Sequence, residues 1–333
     1  MGAGMTPAGH EAPHGGAPHE RRPMNILSVS SYSLREQLGP TDLAVVAPDG
    51  REIRFTTDFP ALVDIAEFPQ LAADRFGVAG VETVAFQFTG PDDPRLDRFA
   101  AESAAAGARL LNVAVDVGDL LTEDPVRRAA DVAALTTWID RCAELGSAFV
   151  RVNPGSPLSP HHGTTPPEHL IEALTGLGAH ARARGVRLLV ENHGGPSSDA
   201  GWMNRLLDAV GRENLGLLLD LGNFDVIMAP MMAALTGDPD GPPVPLRGSP
   251  ELEPVYRGID ALAGRAELVH VKAHDVDDDG TVGLVDLPRA FGILARHGYA
   301  GPLTVEYEGT GGDPWARTRR VLDLTAAAFT TTS

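Results

Sequence analysis

Eight short apolar runs, separated by amphipathic helical stretches, constrain this sequence more than any other feature. They fall at residues 25–28, 81–87, 109–116, 149–153, 187–192, 216–220, 268–272 and 303–307. Near-continuous apolar strands suit a parallel sheet covered on both faces. The stretches between them carry helical periodicity, as at 126–146, 169–185 and 287–298, and each of these ends on a glycine (Gly146, Gly185, Gly298). Glycine just past the last turn is a common helix stop. Eight strand–helix units in one α/β chain predict a single (β/α)8 TIM barrel over residues 24–330. An open doubly wound sheet is the alternative. It is weakened because no Gly-x-Gly-x-x-Gly follows an early strand.

Three segments stand apart from the minimal barrel. Residues 1–23 are rich in Gly, Ala and Pro, with His10, His14 and His19 at no metal-ligand spacing, and read as a disordered tail. Residues 43–57 alternate around Asp49-Gly50 and read as an inserted β-hairpin. Residues 226–255, with Met228, Met231, Met232 and many prolines, form a long connection after the sixth strand. Connections of that length are often functional, and this one reads as a lid.

Charge and cysteine content narrow the chemistry. The net charge of −18 repels phosphate backbones and anionic lipid, so neither nucleic acid nor a membrane is expected as a partner. The single cysteine, Cys142, lies in an amphipathic helical stretch and reads as core. No apolar run is long enough to span a bilayer, and no secretory signal follows Arg21-Arg22, so a cytoplasmic protein is expected. No Gly-x-Ser-x-Gly elbow or phosphate-binding Gly-rich lysine loop is present.

The polar residues that close the strands carry the functional signal. In a (β/α)8 barrel, chemistry collects at the carboxyl ends of the strands. The fifth strand closes on Glu191-Asn-His193 and the sixth on Asp220-Leu-Gly-Asn223. The seventh carries His270-Val-Lys272-Ala-His274, and the eighth closes on Glu306-Tyr-Glu308. Residues i and i+2 share a face, so Glu191 points into the barrel with Leu189 and His270 with Leu268. Counting strand residues places Glu191, Asp220, His270 and Glu306 at a similar height. Burying three carboxylates together is costly unless a cation compensates them. Two Glu, one Asp and one His make an oxygen-rich site suited to Mn2+, with Mg2+ or Co2+ as alternatives.

These motifs resemble the sugar phosphate isomerase/epimerase family, the xylose isomerase-like TIM barrel group. Glu-Asn-His-Gly-Gly at 191–195, Asp-Leu-Gly-Asn-Phe at 220–224, His-Val-Lys-Ala-His-Asp at 270–275 and Glu-Tyr-Glu-Gly at 306–309 carry the likeness. Val-Ser-Ser-Tyr-Ser-Leu-Arg at 29–35 and Val150-Arg-Val-Asn153 also fit. The resemblance implies a metal bound by Glu191, Asp220, His270 and Glu306, with His274 as a rival for the histidine position. Many relatives carry a histidine three residues after the aspartate; here Asn223 stands there.

The activity implied is a divalent-metal-dependent sugar isomerase or epimerase. Glu191 and Glu306 would exchange a proton with the substrate through an enediolate. Expulsion of a β-substituent from the same intermediate would instead make a lyase or dehydratase. Its substrate would be a 3-oxo-sugar, a 3-oxo-glycoside (as in C-glycoside deglycosidases) or an inosose, with His193 as candidate acid. Arg151, Asn153, Lys272 and His274 are candidate substrate contacts, although Arg151 and Asn153 read equally well as a structural pair with interior carboxylates. A small carbohydrate is the expected partner, and homo-oligomers are compatible with the resemblance. The alternative from a different class is a non-catalytic sugar-binding module.

Overall fold

A computed structural model describes Met1 and residues 25–46, 51–156, 159 and 164–329. The histidines of the N-terminal tail and the Asp49-Gly50 turn lie outside the described residues.

Eight parallel strands close into a barrel. They are β1 (Leu27–Ser30), β4 (Gly80–Val84), β5 (Arg109–Val115), β6 (Phe149–Val152), β7 (Arg187–Glu191), β8 (Gly216–Asp220), β9 (Ala266–Ala273) and β10 (Leu303–Tyr307). Their order around the wall is β1-β10-β9-β8-β7-β6-β5-β4, and β1 bonds to both β4 and β10, so the sheet has no edge. The remaining strands, β2 (Thr41–Val46) and β3 (Glu52–Thr57), form the antiparallel hairpin expected from the sequence, in the register Leu43↔Phe55.

Alternation along the strands sorts side chains onto two faces. Leu189, Leu218 and Leu268 meet inside the barrel with Phe149 beside them. Their outward neighbours, such as Val190, Leu219, Val269 and Val271, join the large core between sheet and helices. The inward set then turns polar toward the carboxyl ends: Glu191 follows Leu189, Asp220 follows Leu218, and His270 and Lys272 follow Leu268.

The outer helices are α1 (Phe68–Phe76), α2 (Pro94–Ala105), α3 (Pro125–Glu144), α4 (Glu168–Arg184), α5 (Ala200–Val210), α6 (Asp225–Thr236), α7 (Glu253–Leu262), α8 (Leu287–Arg296) and α9 (Pro314–Phe329). Local chemistry sets their ends. Asp93 and Asp124 accept hydrogen bonds from backbone N–H groups of the first turns of α2 and α3, each with a proline in that turn. Gly185 stops α4 at φ 78°, a conformation that costs glycine little.

The long connection after β8, read from the sequence as a lid over 226–255, has a regular core. It is largely helical: α6 runs through Pro230, and α7 follows. The stretch 237–249, between Gly237 and Ser249, has no regular structure. The Asp225 carboxylate accepts a hydrogen bond from the Gly195 N–H at 2.8 Å, tying α6 to the loop after β7. Among the described residues, no helix is long and apolar enough to cross a membrane.

A candidate metal centre at the carboxyl ends of the strands

Glu191 and Asp220 are the last residues of β7 and β8. The strand ends are latched to each other by Asn192. Its amide donates to the Asp220 carbonyl and accepts from the Asp220 N–H, both at 2.8 Å. One side chain thereby continues the ladder where the strands part and fixes the two carboxylates relative to one another.

Three carboxylates each have one oxygen held by a neutral donor. Asn223 Nδ2 donates to Glu191 Oε1 at 2.9 Å, the Gly222 N–H to Asp220 Oδ1 at 2.7 Å, and Ser30 Oγ to Glu306 Oε1 at 2.9 Å. The second oxygens of Glu191 and Asp220 are buried without a hydrogen bond, and so is His270 Nδ1. Ligand atoms of Glu191, Asp220 and His270 lie within 4.8 Å of one another, and all three residues are buried. Two carboxylate oxygens, facing only the buried cations Arg151 and Lys272, and an imidazole nitrogen converge as a donor set that suits a divalent cation.

His270 is oriented from below. Its Nε2 lies 2.9 Å from Glu82 Oε2. An ionised carboxylate can only accept, so Nε2 carries the proton. Nδ1 then faces the carboxylates, 3.7 Å from Asp220 Oδ2 and 3.6 Å from Glu306 Oε2. Glu82 also accepts from Asn112 Nδ2 at 2.9 Å and from Thr304 Oγ1. Histidine ligands of metals typically depend on such an acceptor behind the ring.

The structure separates the two candidate histidines. His274 Nε2 lies 3.3 Å from the Gly222 carbonyl, and its Nδ1 is 3.7 Å from Glu308. It is not part of the three-residue cluster. The lateral neighbours of the candidate ligands differ around the wall. Asp220 is the lateral neighbour of His270, whereas Glu306 is the lateral neighbour of Lys272, two residues further along β9. Glu306 accordingly presents Oε2 to Lys272 Nζ at 2.9 Å. The same ammonium lies 3.2 Å from Asp220 Oδ2 and 2.8 Å from Glu308 Oε1. Lys272, expected to meet substrate, is engaged by three carboxylates.

Arg151 is likewise held within the protein. Its Nε lies 2.7 Å from Glu191 Oε2, and its Nη1 donates to Asp116 and, at 3.1 Å, to Asn153 Oδ1. Asn153 Nδ2 donates to Asp116 at 2.8 Å. Of the two readings of Arg151 and Asn153, the structural pairing with an interior carboxylate is the one these contacts display. His193 follows Glu191 at the rim. Its N–H donates to Ser197 Oγ at 2.8 Å, while its Nδ1 is buried without a partner.

These surroundings set the proton affinities. Burial pushes the Glu191 carboxyl up, with Arg151 and His193 opposing. Burial acts the same way on Asp220 and Glu306, but Lys272 and His270 outweigh it. Asp220 is held below the usual carboxylate range, and Glu306 is lowered to about 2. Burial disfavours a charged His270, yet Glu82 and Glu306 raise its pKa well above the ordinary imidazole value.

Glu82 is a functional candidate that sequence reasoning passed over. A lone Glu in an apolar strand has no pattern around it, and its partner His270 is 188 residues away. Its only signal was its inward phase, shared with Gly80 on β4. Beyond the rim, a cavity of about 200 Å³ opens between α6 and the loop after β7, lined by Ser159, Gly194, Gly195, Asp225 and Met228 among others.

Comparisons place this geometry among known folds. The family model for the xylose isomerase-like TIM barrel matches residues 70–326. Similar solved structures include an L-ribulose 3-epimerase (18% identity, TM-score 0.62, covering 92% of this chain and 95% of that one). A D-allulose 3-epimerase from Methylomonas sp. in complex with D-allulose is 13% identical (TM-score 0.60, 92% and 98%). A 3-keto-D-glucoside 4-epimerase from E. coli is 13% identical (TM-score 0.55, 79% and 94%). At these identities the likeness is one of fold. No curated protein matches the sequence.

Proposed function

The chain belongs to the xylose isomerase-like TIM barrel family, and from that premise we propose that it is a divalent-metal-dependent sugar isomerase or epimerase acting by enediolate proton transfer. The observation that carries this reading is the convergence of buried donor atoms from Glu191, Asp220 and His270, with Glu306 beside them. Solved structures of sugar 3-epimerases and a 4-epimerase sharing the fold support a carbohydrate substrate.

A divalent ion held by Glu191, Asp220, His270 and Glu306, with Mn2+ the best match to this donor set, would supply positive charge to a carbonyl and adjacent hydroxyl and so acidify the neighbouring C–H. The chain's own residues do the proton work. One glutamate removes the C–H proton, and the bond's electron pair enters the enediolate. The other glutamate returns a proton to the opposite face of that carbon, giving an epimer, or to the neighbouring carbon, giving an isomer.

Unequal environments suit the pair to opposite roles. In the metal-free chain burial pushes the Glu191 carboxyl up, the direction that favours donating a proton, while Lys272 and His270 hold Glu306 down, the direction that favours accepting one. Asn223 and Ser30 hold the orientation of the two carboxylates.

A second reading rests on His193. Its Nδ1 is buried and unpartnered, and the side chain, two residues past Glu191, acts on the Glu191 carboxyl electrostatically. That nitrogen could protonate a group leaving the β-carbon, which would make the protein a lyase on a 3-oxo-sugar, a 3-oxo-glycoside or an inosose.

Incubation with ketohexoses and 3-oxo-glycosides in D2O with Mn2+, followed by NMR, tests both readings. Deuterium incorporated next to the carbonyl, lost in Glu191→Gln and Glu306→Gln, is expected. Release of the β-substituent, lost in His193→Ala, would select the lyase. Absence of exchange with Mn2+, Mg2+ and Co2+ on every such sugar would leave a non-catalytic binding module.

A further inference from the structure

Lys272, like Arg151, is a cation buried inside the carboxylate cluster, and the metal-dependent reading above uses it only to lower the Glu306 carboxyl. Its Nζ lies 3.2 Å from Asp220 Oδ2, 2.9 Å from Glu306 Oε2 and 2.8 Å from Glu308 Oε1, and its side chain is 3% exposed. We propose that the Lys272 ammonium is a built-in counter-cation that neutralises Asp220 and Glu306 when no divalent ion is bound and must yield them when one binds, so that metal loading is set by competition with this side chain. The inference rests on the metal-dependent reading.

Distances make the two cations rivals. Divalent ions of this kind sit about 2.0–2.2 Å from their oxygen ligands. An ion on Asp220 Oδ2 would therefore lie no more than about 5 Å from the ammonium where it now stands, in a buried site with little solvent screening. Both cations would also draw on Glu306 Oε2, which Lys272 holds at hydrogen-bond distance.

Two features mark the arrangement as built into the fold. The lateral register Glu306↔Lys272 sets the two side chains side by side on the inner wall. Gly222 leaves room for the lysine stem: a Cβ there would stand 3.1 Å from Lys272 Cγ and 2.9 Å from His274 Nε2. Glu308 supplies the retreat. It lies outside the three-residue cluster, is 18% exposed, and already holds Nζ, so the ammonium can keep this partner while releasing the others.

The test is the Mn2+ dissociation constant of the full chain, read from the EPR signal of free Mn2+, in the unaltered protein and in Lys272→Met. Tightening of tenfold or more in the variant is expected. A lower metal-free Tm that recovers more on Mn2+ addition than the unaltered protein's should accompany it. Equal or weaker binding in Lys272→Met overturns the inference while leaving the metal-dependent reading intact. No binding by either chain removes that reading and the inference with it. Binding by the variant alone supports the inference in its strongest form. Should Lys272→Met not fold without metal, it and Lys272→Gln are refolded in Mn2+. Recovery supports the inference, because the ion then replaces the lost charge; failure of both to fold in Mn2+ overturns it.

Discussion

Glu306 and Lys272 are lateral neighbours on β10 and β9, and their side chains meet inside the barrel with Nζ 2.9 Å from Oε2. This contact makes the candidate site a balance of fixed charges rather than an open set of four ligands. Its consequences reach stability as well as metal binding.

The first consequence is acid sensitivity. Glu306 is lowered from 4.5 to about 2 in the folded chain, and Asp220 shifts the same way, with burial opposed by Lys272. As pH falls below about 5, unfolded carboxyls take up protons that the folded chain resists. The contribution of these groups is therefore complete above about pH 5 and is lost as pH falls toward 2. Metal-free protein should show a falling urea midpoint across that window, and Lys272→Met should flatten the fall. An equal slope in the two proteins would locate the acid sensitivity elsewhere.

Glu82 should matter to metal affinity without being a ligand. Glu82→Gln removes the carboxylate that fixes His270 Nε2. Loss of such an outer partner typically weakens metal binding by about 10–100-fold. Titration calorimetry with Mn2+ on a variant whose Tm is checked in parallel would measure this. Unchanged affinity would reduce Glu82 to a packing residue.

Arg151 bridges Asp116 and Glu191 with 5% of its side chain exposed. Arg151→Met leaves both carboxylates buried and uncompensated. Removing one member of a buried ion pair costs about 3–5 kcal/mol. Urea unfolding should show a loss of that order. Little change in stability would mean that the two carboxylates find other partners.

Arg35 clamps the seam of the barrel. It follows β1 and donates to the carbonyls of Tyr307 (3.1 Å), Glu308 and Gly309 (2.8 Å) just past the Glu306 position. Arg35→Ala should cost about 2–4 kcal/mol, since charged hydrogen bonds contribute more than neutral ones and the carbonyls regain only part of their solvation. Because the same carbonyls position Glu306 and Glu308, Mn2+ affinity should fall as well. Normal affinity at reduced Tm would confine the clamp to stability.

Particular residues show which signals were local. All eight barrel strands lie within a few residues of the apolar runs. Helix α3 occupies Pro125–Glu144, where periodicity placed 126–146. Glu191, Asp220 and His270 could be singled out because each closes or continues an apolar strand in the inward phase. Helix α6 was obscured by Pro230, which lacks a backbone N–H and reads as a helix breaker. The partnership of Arg151 with Asp116 and Glu191 stayed undecided because it crosses three strands. Glu82 went unnoticed for the same reason: its role depends on a side chain across the barrel.

By itself, the sequence determined the eight barrel strands, the barrel they close into, and the inward phase that carries carboxylates and a histidine to one end. These follow from periods of 2 and 3.6 residues and from capping chemistry, all of which act over a few neighbouring positions. Tertiary structure alone decided that Lys272 is the lateral neighbour of Glu306, that His270 is held by Glu82, and that Arg151 is bound between two carboxylates. The physical reason is lateral register. Stagger between tilted strands is fixed only when the sheet closes on itself, and a shift of two residues leaves the inward phase unchanged while replacing one neighbour with another.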